Sequence, residues 1–140
     1  MTSTNLNILI VDDDNDDVEL IRESISDVEK DVSFLTAENG LNSLELLNSL
    51  PENQLPDLII LDHNMPKLTG SEVLLLLCNN DRYLKIPKII FTTSSSAALI
   101  KECIANGATD YYIKPSVVDE YRQFARQVIN FCRNVTPGKV

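Results

Sequence analysis

The sequence predicts an α/β fold: one five-stranded parallel sheet with helices packed on both of its faces. Three observations lead there. Five short apolar, β-branched segments recur along the 140-residue chain. Segments of helical period lie between them, so strand and helix alternate. The strand segments are continuous apolar runs rather than alternating ones, which marks strands covered on both faces.

The first strand is "NILIV" (7–11). After it, Val18, Ile21, Ile25 and Val28 repeat at spacings of three and four and form one face of a helix. "VSFLT" (32–36) is the second strand, and Asn39-Gly40 opens a second helix with Leu41, Leu44 and Leu47 at the same spacing. "LIILD" (58–62) is the third strand. "SEVLLLLCNN" is too uniformly apolar to show a period. It is assigned as the third helix because two parallel strands need a crossover between them. "KIIFT" (88–92) is the fourth strand; Ser96 is placed to cap the fourth helix and Gly107 to end it through a left-handed residue. "DYYI" (110–113) is the fifth strand, and Tyr121, Phe124, Val128 and Phe131 mark the fifth helix. Nothing in the pattern divides the chain. A single domain over 1–140 is expected, with its core at about 6–134 and short flexible termini.

Composition excludes several function classes. A net charge of −9 opposes non-specific nucleic-acid binding and adhesion to an anionic membrane. The start, "MTSTNLNILIVDDD", reads as neither a signal peptide nor a membrane span, and a cytoplasmic protein is expected. Cys78, Cys103 and Cys132 are odd in number and widely spaced, so they read as reduced core thiols rather than a disulfide or zinc set. The "NVT" sequon at Asn134 has no role inside a cell.

Ligands of an open parallel sheet bind beyond the carboxyl ends of its strands. Here those ends carry Asp12 to Asp14, then Asp62, then "TTSS" (92–95), then Lys114-Pro115. If the first and third strands are neighbours, Asp12, Asp13 and Asp62 converge. Carboxylates that close repel one another unless a cation intervenes. An all-oxygen set suits a hard ion, Mg²⁺ before Ca²⁺, whereas zinc would want nitrogen or sulfur and His63 is the one histidine. The pocket then reads as prepared for a phosphoryl group, with Asp62 as candidate nucleophile and with Lys114 and Thr92 as partners of its oxygens. Plainer readings stand beside this one. Asp14, Asp16, Asp17 and Glu19 suit a helix N-terminus. "TTSS" can be a cap, Lys114 a surface lysine, and His63 a loop residue beside the site.

Read together, "ILIVDDD", "PDLIILDHNMPKLTG", "IPKIIFTTSS" and "GATDYYIKP" resemble the receiver domain of two-component response regulators, in order and spacing, along nearly the whole chain. "CNNDRYLKIPKIIFTTSS" is similar to the stand-alone receivers typified by phytochrome-associated response regulators. The resemblance implies a flavodoxin-like, doubly wound sheet of strand order 2-1-3-4-5. It implies that Asp62 accepts the phosphoryl group. Asp13, Asp62 and the backbone carbonyl of Asn64 would hold Mg²⁺, with Asp12 acting through water. Lys114 would pair with the phosphoryl group, followed by Pro115 across a bond that is often cis in that family. Thr92 and Tyr111 would be the switch residues, and Asn64 and Ser94 would tune the lifetime of the acyl phosphate. Partners implied are a histidine kinase or histidine phosphotransfer protein, and then a downstream target protein or a second copy of the chain. Its chemistry would be limited to its own phosphorylation and dephosphorylation.

Three other classes fit less well. An aspartate-nucleophile phosphatase of the haloacid-dehalogenase type would want an acid two residues after Asp62, where Asn64 stands. A flavodoxin would want a Ser/Thr-rich loop where "DDDNDD" would repel the FMN phosphate. A pseudo-receiver would have no need of the full set Asp12, Asp13, Asp62, Thr92 and Lys114.

Overall fold

Strands and helices alternate from one end of the chain to the other. In chain order they are β1 (Leu6–Val11), α1 (Asn15–Val28), β2 (Val32–Ala37), α2 (Gly40–Ser49), β3 (Leu58–Leu61), α3 (Gly70–Cys78), β4 (Lys88–Thr92), α4 (Ala97–Ala105), β5 (Asp110–Ile113) and α5 (Val118–Val135). A short 3-10 turn, Glu52–Gln54, precedes β3. The computed structural model describes residues 5–135. The expected flexible termini, and the Thr136 end of the "NVT" sequon, lie outside the described residues.

All strand pairs are parallel and the order is β2-β1-β3-β4-β5, as the sequence predicts. Alternate side chains of each central strand enter two separate cores. Ile8, Ile10, Leu58, Ile60, Ile89 and Phe91 pack under α1 and α5. Leu9, Val11, Ile59, Leu61 and Ile90 pack under α2, α3 and α4. This is why β1, β3 and β4 read as unbroken apolar runs. The edge strands do not share that burial: β2 is mostly half-buried, and Ile113 of β5 is 50% exposed. An edge strand has a neighbour on one side only, so fewer residues surround it.

Local signals explain the helix ends. Asp14 caps α1, its side chain accepting from the Asp16 and Asp17 amides. Asn39 caps α2 and Ser96 caps α4. Thr69 and Glu72 form a reciprocal capping box on α3, which settles the ambiguous "SEVLLLLC" as a helix. Gly107 takes φ +115°, beyond the reach of an ordinary side chain, directly after α4. One helix face departs from expectation. Leu47 is buried but Leu41 is 44% exposed, because α2 turns Gly40 and Ser43 inward instead.

The long connection from α3 to β4 is held by two basic residues. Arg82 donates to the Leu47 and Leu50 carbonyls at the end of α2 and pairs with Glu52. Lys88 is only 1% exposed and donates to the carbonyls of Tyr83 (2.7 Å), Ile86 (2.6 Å) and, more loosely, Leu84 (3.4 Å). Burial lowers the pKa of this lysine. Lys88→Met keeps the bulk but takes a donor from all three carbonyls, of which that of Tyr83 keeps the Ile86 amide. It is expected to cost about 1–3 kcal/mol of stability, read as a lower denaturant midpoint at unchanged slope.

Candidate functional site: an acidic pocket at the strand ends

Register decides the meeting of the acids. β1 and β3 run side by side with Val11 opposite Leu61, so the residues that follow, Asp12 and Asp62, emerge together. The Asp62 amide donates to the Val11 carbonyl at 2.9 Å and the Asp12 amide to the Ala37 carbonyl at 3.1 Å. Both carboxylates are buried, at 3% and 6% exposure, while Asp13 faces solvent. Carboxylate oxygens of Asp12, Asp13 and Asp62 all lie within 4.8 Å of one another.

Lys114 arrives from the far side of the sheet. Its amide donates to the Thr92 carbonyl at 2.7 Å, which fixes it at the end of β5. Its ammonium reaches Asp17 at 2.7 Å, Asp12 at 2.8 Å and Asp62 at 3.4 Å. Burial alone would lower its pKa, but hydrogen bonds and charges from Asp12, Asp17 and Asp62 reverse this and the net shift is upward. The Lys114–Pro115 bond is trans, like every peptide bond among the described residues, so the cis form common in receivers is not adopted. Trans is the form an X–Pro bond intrinsically prefers.

The loop after β3 is shaped by backbone. The His63 carbonyl accepts from the Met65 amide at 3.0 Å and the Gly70 amide at 3.1 Å. A Cβ on Gly70 would lie 2.7 Å from the Asp62 carbonyl oxygen and 2.8 Å from the His63 Cα, so only glycine fits. Lys67 turns the loop with φ +72°. His63 points away from the chemistry: its Nδ1 accepts from the Ser71 amide at 3.4 Å, at the start of α3. The Asn64 amide donates to Asp62 at 3.3 Å, and its side-chain amide donates to the Thr92 hydroxyl at 3.3 Å. Thr92 is fully buried. Tyr111 is half-buried among the α2–α3–α4 side chains, its hydroxyl donating to the Ser94 carbonyl at 2.7 Å.

Asp12, Asp13, Asp62 and Lys114 therefore meet at the strand ends, Thr92 is tied to them through the Asn64 side chain and the Lys114 amide, and Tyr111 is tied to Ser94. Three features escaped the sequence: Asp17 as a partner of Lys114, the Asn64–Thr92 hydrogen bond, and the His63–Ser71 contact. None of the three can be read from residue spacing, because each depends on which way a side chain turns.

The donor set fits a hard divalent cation. Every candidate ligand is oxygen, and Asp12 is buried beside other acids. Burial raises the Asp12 carboxyl above its ordinary 3.8, and the hydrogen bonds from Lys114 and the Asp14 amide offset only part of this. A cation requires Asp12 ionised, whereas acid protonates it. Cation affinity is therefore expected to fall as pH drops through the raised pKa, sooner than an exposed carboxylate would dictate. A Mg²⁺ titration followed by NMR from about pH 7 to about pH 4 checks the slope.

A sequence profile of the response regulator receiver domain matches residues 8–126. The chain belongs to the receiver domain family. It is a phospho-accepting signalling module rather than a conventional enzyme, and its acidic pocket is of the kind that holds a divalent metal in receivers. The receiver is 32% identical to the two-component response regulator ORR5 of Oryza sativa subsp. japonica, an alignment covering 87% of each chain. It spans only 37% and 21% of two longer relatives that it matches at 29% and 30% identity. Among solved structures, the phosphorylated cyanobacterial phytochrome response regulator RcpA superposes with a TM-score of 0.83 at 25% identity, covering 91% of this chain and 93% of its own. The Mn²⁺-bound response regulator Rcp1 gives 0.79 at 25% identity, covering 90% and 93%. No helix among the described residues is long and apolar enough to cross a membrane.

Proposed function

We propose that this receiver is a cytoplasmic phosphorylation switch whose acceptor is Asp62. The observation that carries the reading is the position of that carboxylate. It is buried at the end of β3, within 4.8 Å of Asp12 and Asp13 oxygens and 3.4 Å from the Lys114 ammonium. Asp13, Asp62 and the Asn64 carbonyl would hold Mg²⁺, with Asp12 acting through the ion's water. Bound there, the ion supplies charge neutralisation for the transferred oxygens.

The donor is a phosphohistidine on a histidine kinase or phosphotransfer protein. An Asp62 oxygen attacks phosphorus in line. The P–N bond breaks, its electron pair returns to the donor imidazole, and an acyl phosphate forms on Asp62. Lys114 takes one phosphoryl oxygen as an ion-pair partner. Thr92, now held by the Asn64 side chain, turns its hydroxyl to another, and Tyr111 follows into the space that movement opens. Asn64 and Ser94 line the path of attacking water and tune the lifetime of the adduct. The changed surface lies on α4, β5 and α5, where Ile104, Ile113, Val117 and Val118 are already exposed. These apolar side chains suit a protein partner, either a downstream target or a second copy.

Phosphotransfer profiling against the histidine kinases and phosphotransfer proteins of the source organism tests this. Rapid transfer from one or a few of them is expected. Transfer from none, together with no adduct from a small phosphodonor, would sink the reading.

A further inference from the structure

We propose that Asp17 is a positioning residue: it holds the Lys114 ammonium off Asp62, which leaves the acceptor carboxylate open to a metal ion. This deepens the phosphorylation reading above and rests on it. The sequence places Asp17 among acids that merely complement a helix dipole, and the structure gives it other work. The α1 amides are capped by Asp14, which accepts from the Asp16 and Asp17 amides at 2.9 and 3.3 Å. The Asp17 carboxylate instead turns toward the pocket, with a side chain only 24% exposed, and meets Lys114 at 2.7 Å.

The geometry of the ammonium gives the reason. Three donors face three carboxylates, and the distances are unequal: 2.7 Å to Asp17, 2.8 Å to Asp12 and 3.4 Å to Asp62. Charge-assisted hydrogen bonds normally close to about 2.7–2.9 Å, so Lys114 is committed to Asp12 and Asp17 and only leans on Asp62. Asp12 is well satisfied, accepting from the Asp14 amide at 2.9 Å as well. Asp62 has only long contacts, 3.3 Å from the Asn64 amide and 3.4 Å from Lys114. The most weakly held of the buried carboxylates is the one that must bind a metal and attack phosphorus. Without the Asp17 carboxylate, Lys114 loses its shortest charged partner, and an amide in its place is only a neutral acceptor. The charged acceptor still loosely held is Asp62, and a tight Lys114–Asp62 bridge competes with any cation for that carboxylate.

The test uses the full chain and Mg²⁺ alone, with affinity read from NMR amide shifts for wild type, Asp17→Asn, Asp17→Glu and Asp16→Asn. Asp16→Asn removes the same charge from the same helix turn, at a residue that faces solvent, and serves as the electrostatic control. Asp17→Asn is expected to weaken Mg²⁺ binding roughly five- to tenfold, Asp16→Asn by no more than about twofold, and Asp17→Glu to recover most of the loss. Equal losses in Asp17→Asn and Asp16→Asn overturn the proposal, as does no recovery in Asp17→Glu. Phosphoryl uptake by wild type from acetyl phosphate, measured in parallel, separates the two claims. No uptake alongside the expected Mg²⁺ differences rejects the acceptor reading alone. Normal uptake with no Asp17-specific difference rejects the Asp17 role alone. A wild type that binds no Mg²⁺ rejects both.

Discussion

Asp62→Asn is expected to abolish phosphoryl uptake while leaving the fold intact. A carboxylate carries a net negative charge shared by its two oxygens and attacks phosphorus; an amide is neutral, its oxygen is a far weaker nucleophile, and it does not form a stable acyl phosphate. The substitution preserves shape, and an amide oxygen can still accept from the Asn64 amide. It also removes one of three carboxylates gathered within 4.8 Å. Like-charge repulsion falls, so stability should stay within about 1 kcal/mol of wild type or exceed it. Intact-mass spectrometry after incubation with Mg²⁺ and acetyl phosphate should show one phosphoryl group on wild type and none on the variant. Equal modification of both would move the acceptor elsewhere.

Lys114→Met is expected to have the largest effect on stability in the site. The Lys114 side chain is 6% exposed, and its ammonium is the cation shared by Asp12, Asp17 and Asp62. Removing one partner of a buried ion pair leaves uncompensated charge and costs about 3–5 kcal/mol. Part of that cost is avoided if Asp12, already raised by burial, takes up a proton. Mg²⁺ should restore much of the lost stability and should bind more tightly than in wild type, because a competing cation has gone. Denaturant melts with and without Mg²⁺ measure both effects. Phosphoryl uptake should fall even at saturating Mg²⁺, since the oxygens lose their ion-pair partner. Unchanged stability together with unchanged Mg²⁺ affinity would deny Lys114 its bridging position.

Much of this was legible because the fold writes itself as a period. A central strand touched by helices on both sides is apolar along its middle, as "LIIL" in β3 and "IIF" in β4 are. Their carboxyl ends are then identified by the first polar residue, which is how Asp12, Asp62 and Thr92 were found. Lys88 breaks the rule and is instructive. It stands at the start of a buried strand, yet its ammonium is spent on backbone carbonyls of the preceding loop. Helix rotation was less legible. Leu41, Leu44 and Leu47 share a spacing, but α2 turns Leu41 outward and the small residues Gly40 and Ser43 inward, Gly40 lying close against Val73 of α3 and Leu68. Asp17 was misread for a related reason. Position in a first helical turn is visible in sequence; which way the turn faces is set by how α1 packs against α5 and the sheet.

His63 is settled by the same geometry. Its Nδ1 accepts from the start of α3, so the histidine beside Asp62 is a structural neighbour of the pocket. In the proposed reaction the phosphohistidine belongs to the donor.

The most direct single measurement is chemical trapping of the adduct. Wild-type protein phosphorylated in Mg²⁺ with a small phosphodonor is reduced with borohydride, which converts an aspartyl phosphate to homoserine, and is then digested and sequenced by mass spectrometry. Homoserine at position 62 alone is the expected result. Homoserine at Asp12, Asp13 or Asp17, or none anywhere, would contradict the assignment of Asp62 as the acceptor.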